Sequence, residues 1–385
     1  MPKIIAHIDI DNFFVSSEIR LNPKLEGQPI VISRNENFAM AVSVSEKVKE
    51  KGFKITDKIS DIKKNIPNLI VIKPNLRYYN FLSKQFFDYI TKNFTKKIEI
   101  YSIDECFVDL TNFSRKFNTI LEMLWFIKKK SIKNFVLPIS ISVSYNKLLA
   151  KMATNLAKNT KLRVIALTKA NVPKLIYPQK IKNLFGIGIQ IGQKLKDVGV
   201  FTVADLLKKG INNEKIVKIL GINRHYFFQS LTRIGDDNVS DKLKKFKSLS
   251  HFSTFPIEIL LTKKKILDVI SNFLLDLVEK LKKYNKAVNR VEFVFKLKKN
   301  NIKDWIFSDI STSSNDYDFL YSNLVALVEK VENFSSIHGF GISPLKVSHY
   351  DKSMLKTNPK VKNIISSVNK SIGSKKLFVL NYLKN

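Results

Sequence analysis

The sequence predicts an α/β, in part α+β, multidomain protein, and three features of its patterning carry that expectation. Through the first half, short strand-like apolar runs alternate with runs of helical periodicity, the texture of helices layered on a sheet. Between about 178 and 235 this gives way to short helical segments broken by glycines. Past a basic stretch the order strand, helix, strand, strand, helix, strand follows, the split βαβ arrangement of a small independent domain. A chain of 385 residues has room for two to four domains and a sizeable core.

Taken in order, the strand candidates of the first half are 4–10, 29–33, 98–101, 107–110 and 139–143. The segment "SDKLKKFKSLS" (240–250) is basic and nearly free of apolar residues, and reads as a tether. Beyond it come a strand at 249–255 and a helix at 262–284. That helix carries Ile266, Val269, Ile270, Phe273, Leu277 and Leu281 on one face. Strands near 288–298 and 305–312, a helix near 316–333 and a strand near 337–348 complete the unit. In the first of these strands Val291, Phe293, Phe295 and Leu297 alternate with Arg290, Lys296 and Lys298. One face therefore packs while the other shows cations, a plausible platform for DNA. The tail keeps a helix signal, with Asn358 as cap, Pro359 in the first turn, Val361, Ile364, Ile365, Val368 and Ile372 at helical spacing, and Gly373 as stop.

Charge narrows the function. Lys and Arg number 66 against 33 Asp and Glu, a net +33 that exceeds what solubility requires and points to a polyanionic partner. Only eight of the cations are Arg. An AT-rich genome explains that choice of Lys over Arg but not the excess, and mobile ammonium groups suit sequence-blind phosphate contact. Cys106 is the only cysteine, which excludes an intrachain disulfide and a cysteine-based zinc site. The start "MPKIIAHIDID" is too polar for a signal peptide, and no apolar run reaches the ~20 residues of a membrane helix. A cytoplasmic location is expected.

The chemistry lies in two acidic segments. In "HIDIDNFF" alternation places His7, Asp9 and Asp11 on one face of a strand and Ile8 and Ile10 on the other. Taken alone, this is equally well an antiparallel strand with one wet face. In "YSIDECFVDL" two strand-like halves flank residues 102–105, so Asp104 and Glu105 fall at the bend of a hairpin. Carboxylates gathered together raise one another's pKa, a conflict that a divalent cation removes. Mg²⁺ takes a few carboxylate oxygens and completes its shell with water and phosphate. Two such ions ~4 Å apart can activate an attacking hydroxyl and stabilise a leaving pyrophosphate.

With "ISVSYNKLLAKMATNLAK", the segments "HIDIDNFFVSSE" and "YSIDECFVDLT" resemble, in order and spacing, the three main motifs of the Y-family DNA polymerases, in their polymerase IV branch. The resemblance runs from about Ile4 to about Val347 and is strongest before Asn159. It implies a right-hand polymerase: palm at 1–10 and 78–160, fingers at 11–77, a helix-hairpin-helix thumb at 161–238, a tether at 239–248, a β-α-β-β-α-β little finger at 249–350 and an extension at 351–385. By the same resemblance Asp9, Asp104, Glu105 and the backbone carbonyl of Ile10 hold two Mg²⁺ ions, for which Mn²⁺ is a substitute. Asp11 matches a less constant position and is expected on a wet surface. Cys106 stands where the family has a small residue and is read as packing.

Phe14 matches the family's steric gate, a ring under the incoming sugar that leaves no room for a 2′-hydroxyl; Phe13 beside it is included as a nucleotide contact and read as partly core. Lys151 matches a palm lysine that contacts the triphosphate, while Lys147 and Lys158 read as surface or DNA-contact charges. In the fingers the sequence departs from the family, whose Tyr and Arg three residues apart are replaced in "AVSVSEKVKEKGF" by Glu46 and Lys49. Lys49 supplies charge without a bidentate fork and Glu46 repels phosphate. Ser43 is kept with Lys49 as a nucleotide contact. Gly186, Gly188 and Gly192 in "LFGIGIQIG" have helix-hairpin-helix spacing, which lets backbone amides approach phosphate. Arg290, Lys296 and Lys298 are the little-finger contacts.

The implied partners are primer-template DNA and deoxynucleoside triphosphates, bound by a monomer with low fidelity and low processivity. The terminal "KKLFVL" is weighed as a sliding-clamp peptide against a buried strand. Two rivals are set beside this reading. A DNA-binding repair scaffold of the same fold, without chemistry, is favoured by Glu46 and Lys49 and opposed by the retained acids. A nucleotide cyclase with a similar palm does not account for the thumb glycines or the charge.

Overall fold

The computed structural model describes residues 3–34, 39–232, 237–239, 250–256, 258–298 and 303–350. Contacts divide the chain into two compact units, 1–243 and 244–385. The tether core and the extension, with its helix signal and "KKLFVL", lie outside the described residues.

In the first unit the elements follow as β1 (Ile5–Ile10), α1 (Phe13–Leu21), β2 (Ile30–Ile32), β3 (Ser43–Val44), α2 (Glu46–Glu50), α3 (Ile59–Asn65), β4 (Ile70–Ile72), α4 (Leu76–Asn93), β5 (Ile98–Ile100) and β6 (Glu105–Asp109). There follow α5 (Ile120–Phe135), β7 (Ile139–Ser144), α6 (Lys147–Ala157), β8 (Val164–Ala166), α7 (Val172–Leu175), α8 (Ile189–Asp197), α9 (Val203–Lys209), α10 (Glu214–Leu220) and α11 (Asn223–Thr232). Helix starts are fixed locally by side-chain caps: Asn75 accepts from Tyr78 N, Thr119 from Glu122 N and Asn146 from Leu149 N. Thr202 and Asp205 form a capping box on α9.

The main sheet has the order β5-β6-β1-β7-β8. Its central strand β1 is buried along its whole length because both faces are covered. Ala6, Ile8, Ile10, Cys106 and Val108 face a core shared with Tyr79, Leu82 and Phe86 of α4 and Leu124 and Ile127 of α5. On the other face Ile5 and Phe107 pack with Ala150 of α6 and with Val239. Val239 is thus part of this unit's core. A smaller sheet, β3-β2-β4, has its own core of Val31, Val44, Val48, Ile59 and Ile62. Its third strand, β4, and the two-residue β3 carry too little periodicity to be seen in the sequence.

The second unit is β9 (His251–Thr254), α12 (Lys263–Lys283), β10 (Lys286–Leu297), β11 (Lys303–Ser314), α13 (Tyr317–Glu329) and β12 (Ile337–His349), the order read from the sequence. Its antiparallel sheet is ordered β11-β10-β12-β9. Val291 and Phe293 pack with Ile266, Ile270, Leu274, Leu277 and Leu281 of α12 and Leu320 and Leu324 of α13.

Candidate active site

β1 and β6 pair antiparallel with Asp9 opposite Glu105, so two carboxylates distant in the chain share one face of the sheet. α6 closes over that face, and Thr154 Oγ1 donates to the His7 carbonyl at 3.2 Å. Asp9 is 4% exposed, Glu105 8% and His7 0%, so the alternative of a wet strand face does not hold. Glu105 is the first residue of β6 rather than part of the bend.

Two acids in so dry a place need cations, and α6 supplies them. Lys151 Nζ forms an ion pair with Glu105 and lies 3.9 Å from Asp9 Oδ2, while Lys158 Nζ lies 2.7 Å from Asp9 Oδ1. The two lysines are seven residues, or two helical turns, apart and so descend from one helix face. Burial pushes the Asp9 carboxyl up from its ordinary value, against the pull of Lys158 and Lys151. Burial opposes ionisation of Glu105 too, but the adjacent His7 imidazole and the Lys151 ammonium hold its pKa low. His7 Nε2 lies 3.5 Å from Glu105 Oε2, and burial lowers the imidazole to about 4, leaving it neutral near pH 7.

Asp104 occupies the bend before β6. Its carbonyl accepts from Ile10 N at 2.9 Å, which ties the bend to the end of β1. Its carboxylate accepts from Ser102 Oγ at 2.5 Å, and its charge adds to the upward push on Asp9. The three acids therefore share one corner. Among the described residues no three acid, histidine or cysteine side chains converge tightly enough to ligate one cation as they stand. Lysines balance two of the acids and Ser102 holds the third. The donor set nonetheless fits a hard divalent ion, being carboxylate oxygen throughout, with the Ile10 carbonyl the one atom of that core residue able to join it.

Asp11 differs from expectation. It is 5% exposed, accepts from Ser140 Oγ at 2.8 and 3.0 Å, and pairs with Arg163 Nη1 at 3.2 Å. A buried, satisfied acid at this point fixes the turn in which Asn12 adopts a left-handed conformation (φ 47°) before α1. Lys158 is the second correction, since it is an ion-pair partner of Asp9 rather than a surface charge. Lys147 pairs with Glu99 at 3.1 Å.

At the start of α1 the two phenylalanines separate. Phe13 is 3% exposed and belongs to the core, so its ring has no surface to offer a nucleotide, contrary to its inclusion with Phe14. Phe14 is half-buried and stacks on Tyr79 with centroids 4.5 Å apart and planes 18° apart. Tyr79, fully buried, donates to Glu18 Oε1 at 2.6 Å and cannot yield.

The altered finger positions form a clasp. Asn12 Nδ2 donates to Glu46 Oε1 at 2.8 Å, and Lys49 Nζ donates to Asn12 Oδ1 at 2.6 Å and to Glu46 Oε1 at 3.2 Å. Glu46 is therefore matched by Lys49, which lessens the repulsion of phosphate expected of it. The Glu46 and Lys49 side chains are exposed, so the clasp is weak. Glu46→Gln is expected to lower the KM for a deoxynucleotide by roughly two- to fivefold, since it frees Lys49 and removes a negative charge. Steady-state KM with kcat unchanged checks this. Ser43 pairs with Ile32 in β3–β2 and is half-buried.

Of the three glycines, Gly186 has φ 97° and Gly188 caps α8 with nothing within 4 Å of where its Cβ would stand. Gly192 is buried inside α8 with Lys182 Cβ at 3.6 Å, so it serves packing and is not positioned to meet DNA. In the second unit Arg290 Nε lies 3.5 Å from Asp309 Oδ1, which offsets part of its charge, while Lys296 and Lys298 are half-buried.

A sheet that opposes two carboxylates, a third at the adjoining bend, and a rigid aromatic plate at the next helix together define a nucleotidyl-transfer palm. The family described as impB/mucB/samB matches residues 8–155. DNA polymerase IV of Ureaplasma parvum serovar 3 is 31% identical over 345 residues, covering 89% of this chain and 93% of that protein. DNA polymerase IV of Bacillus velezensis is 33% identical over 256 residues, 66% of this chain and 60% of that one. Among solved structures, a Y-family DNA polymerase chimera of Dbh and Dpo4 superposes with a TM-score of 0.76 at 21% identity, over 90% of this chain and 99% of its own. An insertion ternary complex of Dbh DNA polymerase gives 0.60 at 20% identity, over 89% and 98%. The chain belongs to this family, the Y-family DNA polymerases, on its polymerase IV side.

Proposed function

We propose that this protein is a template-directed DNA polymerase that adds deoxynucleotides to a primer 3′ end and serves synthesis across damaged templates with low fidelity. The observation that carries the proposal is the burial of Asp9 and Glu105 on one sheet face beside Asp104, in a family whose relatives carry the name DNA polymerase IV. Palm, fingers, thumb, tether and little finger are proposed to follow the divisions given above. The reading of the partners as primer-template DNA and deoxynucleoside triphosphates, bound by a monomer, is supported by the net charge of +33. Clamp recruitment through the terminal segment is kept as a proposal. A cytoplasmic location is kept as a proposal; among the described residues no helix is long and apolar enough to cross a membrane.

The divalent cation is proposed to be Mg²⁺, two per site, held by Asp9, Asp104, Glu105 and the Ile10 carbonyl. When bound, it activates the primer hydroxyl and neutralises charge on the transferred phosphate and leaving pyrophosphate. The chain's own residues do the rest. His7, uncharged, orients Glu105 without competing for protons near pH 7. Lys151 and Lys158 balance Glu105 and Asp9, and with that balance supplied by a bound divalent ion their ammonium groups would be available to triphosphate oxygens. Phe14 bounds the sugar, and Asp11 with Arg163 holds the turn that presents it.

Lys158→Ala is expected to raise the KM for deoxynucleotides roughly tenfold or more, as a charge-assisted hydrogen bond to phosphate is lost. Its affinity for primer-template DNA should stay within about twofold, and single-nucleotide insertion kinetics separate the two. Primer extension on an undamaged template, with Mg²⁺ and four deoxynucleotides, tests the function. A chain that binds primer-template and extends nothing over a wide range of nucleotide and Mn²⁺ concentration would be the scaffold instead.

A further inference from the structure

Behind the main sheet of the first unit, on the side away from Asp9 and Glu105, lies an open cavity of about 470 Å³ between α4, α5 and the short helical turn at Phe113–Lys116. Tyr89 and Phe94 enter it from the end of α4, Phe113 and Phe117 from the turn, and Phe126 from α5. Ring centroids run from Phe94 to Phe113 at 5.4 Å, from Phe113 to Phe117 at 5.4 Å and from Phe117 to Phe126 at 5.3 Å, and Phe126 closes the circuit on Phe94 at 6.5 Å. Successive planes differ by 53° to 80°, so each ring sets an edge against its neighbour and the wall is fixed. At its lip Phe126 stays 39% exposed.

Two cations lean over this wall. Lys116 Nζ lies 5.3 Å from the Phe113 centroid and Lys130 Nζ 5.6 Å from that of Phe126. Each follows its ring by three or four residues on a helical segment, a spacing that brings ammonium and ring to one face. They are the only charges among the described residues that line the cavity, and among the described residues neither forms an ion pair. Asn93 Nδ2 donates to the Tyr89 carbonyl at 2.9 Å, and Asn134 Nδ2 donates to the Tyr89 hydroxyl at 3.1 Å and to the Lys130 carbonyl at 2.7 Å. Both Oδ1 atoms are left without a donor among the described residues, and each can accept from a backbone N–H.

Tyr89, Asn93 and Asn134 also line a neighbouring cavity of about 490 Å³, which holds Arg20, Lys92 and Asp88. Each cavity alone lies in the ~300–1,000 Å³ range that takes a drug-sized group. Joined at Tyr89, they form a groove that suits an extended chain.

Charge selects the occupant. An acidic segment meets Lys116 and Lys130 with the opposite sign. A second copy would bring a further +33 to the contact, and the chain's own end, "SKKLFVLNYLKN" (374–385), has apolar residues but three lysines and no acid. Nucleic acid would match the cations, yet bases stack on open ring faces, whereas these rings are turned against one another around a recess. A recess takes a single side chain as an anchor.

We infer that the groove between α4 and α5 is a docking site for an acidic peptide segment of another protein, with an aromatic or large aliphatic side chain anchored beside Phe126 and Phe117 and carboxylates on Lys116 and Lys130. This goes beyond the polymerase reading and does not rest on it, since the groove lies on the opposite side of the sheet from the acids.

A phage-displayed library of random dodecapeptides, selected on the full-length protein at physiological salt, supplies the probe. Enriched sequences should place Asp or Glu on both sides of a Trp, Phe or Leu. For one such peptide, made synthetically with a fluorescent label, Phe126→Ser should weaken binding roughly tenfold or more, and Lys116→Glu with Lys130→Glu roughly fivefold or more. The same peptide with its acids changed to lysine should bind the charge-reversed variant better than the parent chain, which a loosened fold would not produce. Binding indifferent to both substitutions would reduce the effect to attraction by the overall charge. Displacement of the peptide by oligo-dT whose own affinity falls on charge reversal would give the groove to nucleic acid, and self-association abolished by Phe126→Ser would give it to a second copy. Each of these results overturns the inference, as does a selection that yields no binders or binders without acids. Primer extension by the same variants should match the parent's and reports on the polymerase reading separately.

Discussion

Replacing Asp104 and Glu105 together by alanine is expected to reduce primer extension by roughly 10³-fold or more, because the divalent cations proposed to bind there would contribute several kcal/mol each to activating the primer hydroxyl and the leaving group. Binding of primer-template DNA should persist, since acids in a basic protein are not its phosphate contacts. The double variant leaves Lys151 without Glu105 in a nearly dry setting, and an unpaired buried charge is costly. Glu105→Gln therefore belongs beside it, as it keeps an acceptor for Lys151 and removes only the charge. Thermal melting separates unfolding from loss of chemistry. Retained extension in the folded double variant would remove Asp104 and Glu105 from the reaction and with them the metal reading of the corner.

The second large effect is expected in sugar selection. Phe14 is held from behind by Tyr79, whose ring is 4.5 Å away and nearly parallel and whose hydroxyl is tied to Glu18. Under the proposed role this backing resists displacement of the ring by a 2′-hydroxyl. Phe14→Ala opens a space about the size of the ring, and discrimination against ribonucleotides should fall roughly 10- to 100-fold with deoxynucleotide insertion little changed. The ratio of kcat/KM for a matched deoxynucleotide and its ribonucleotide measures it. Undiminished discrimination would return Phe14 to the core beside Phe13.

The two phenylalanines also show how far the sequence reads. Both follow a strand in "DNFF", and nothing in their order says which ring meets solvent. The left-handed Asn12 and the start of α1 decide it, turning Phe13 into the core and Phe14 to the edge. The same holds for Asp11, whose alternation with Asp9 promised a wet surface. Its neighbours Ser140 and Arg163 arrive from distant parts of the chain and bury it. Lys158 carried a signal, seven residues after Lys151 on a helix. That signal has meaning only once α6 is known to lie over β1 and β6.

The strand and helix order of the second unit, its apolar faces, the bend at Asp104 and the charge that calls for a polyanionic partner were all written in the sequence, because periodicity, turn chemistry and composition are local properties. The pairing of Asp9 with Glu105, the lysines that balance them and the burial of Asp11 were decided by tertiary structure alone. Each depends on which strands become neighbours and which face a helix covers, and burial, which sets the worth of every charge in the site, exists only after that packing is made.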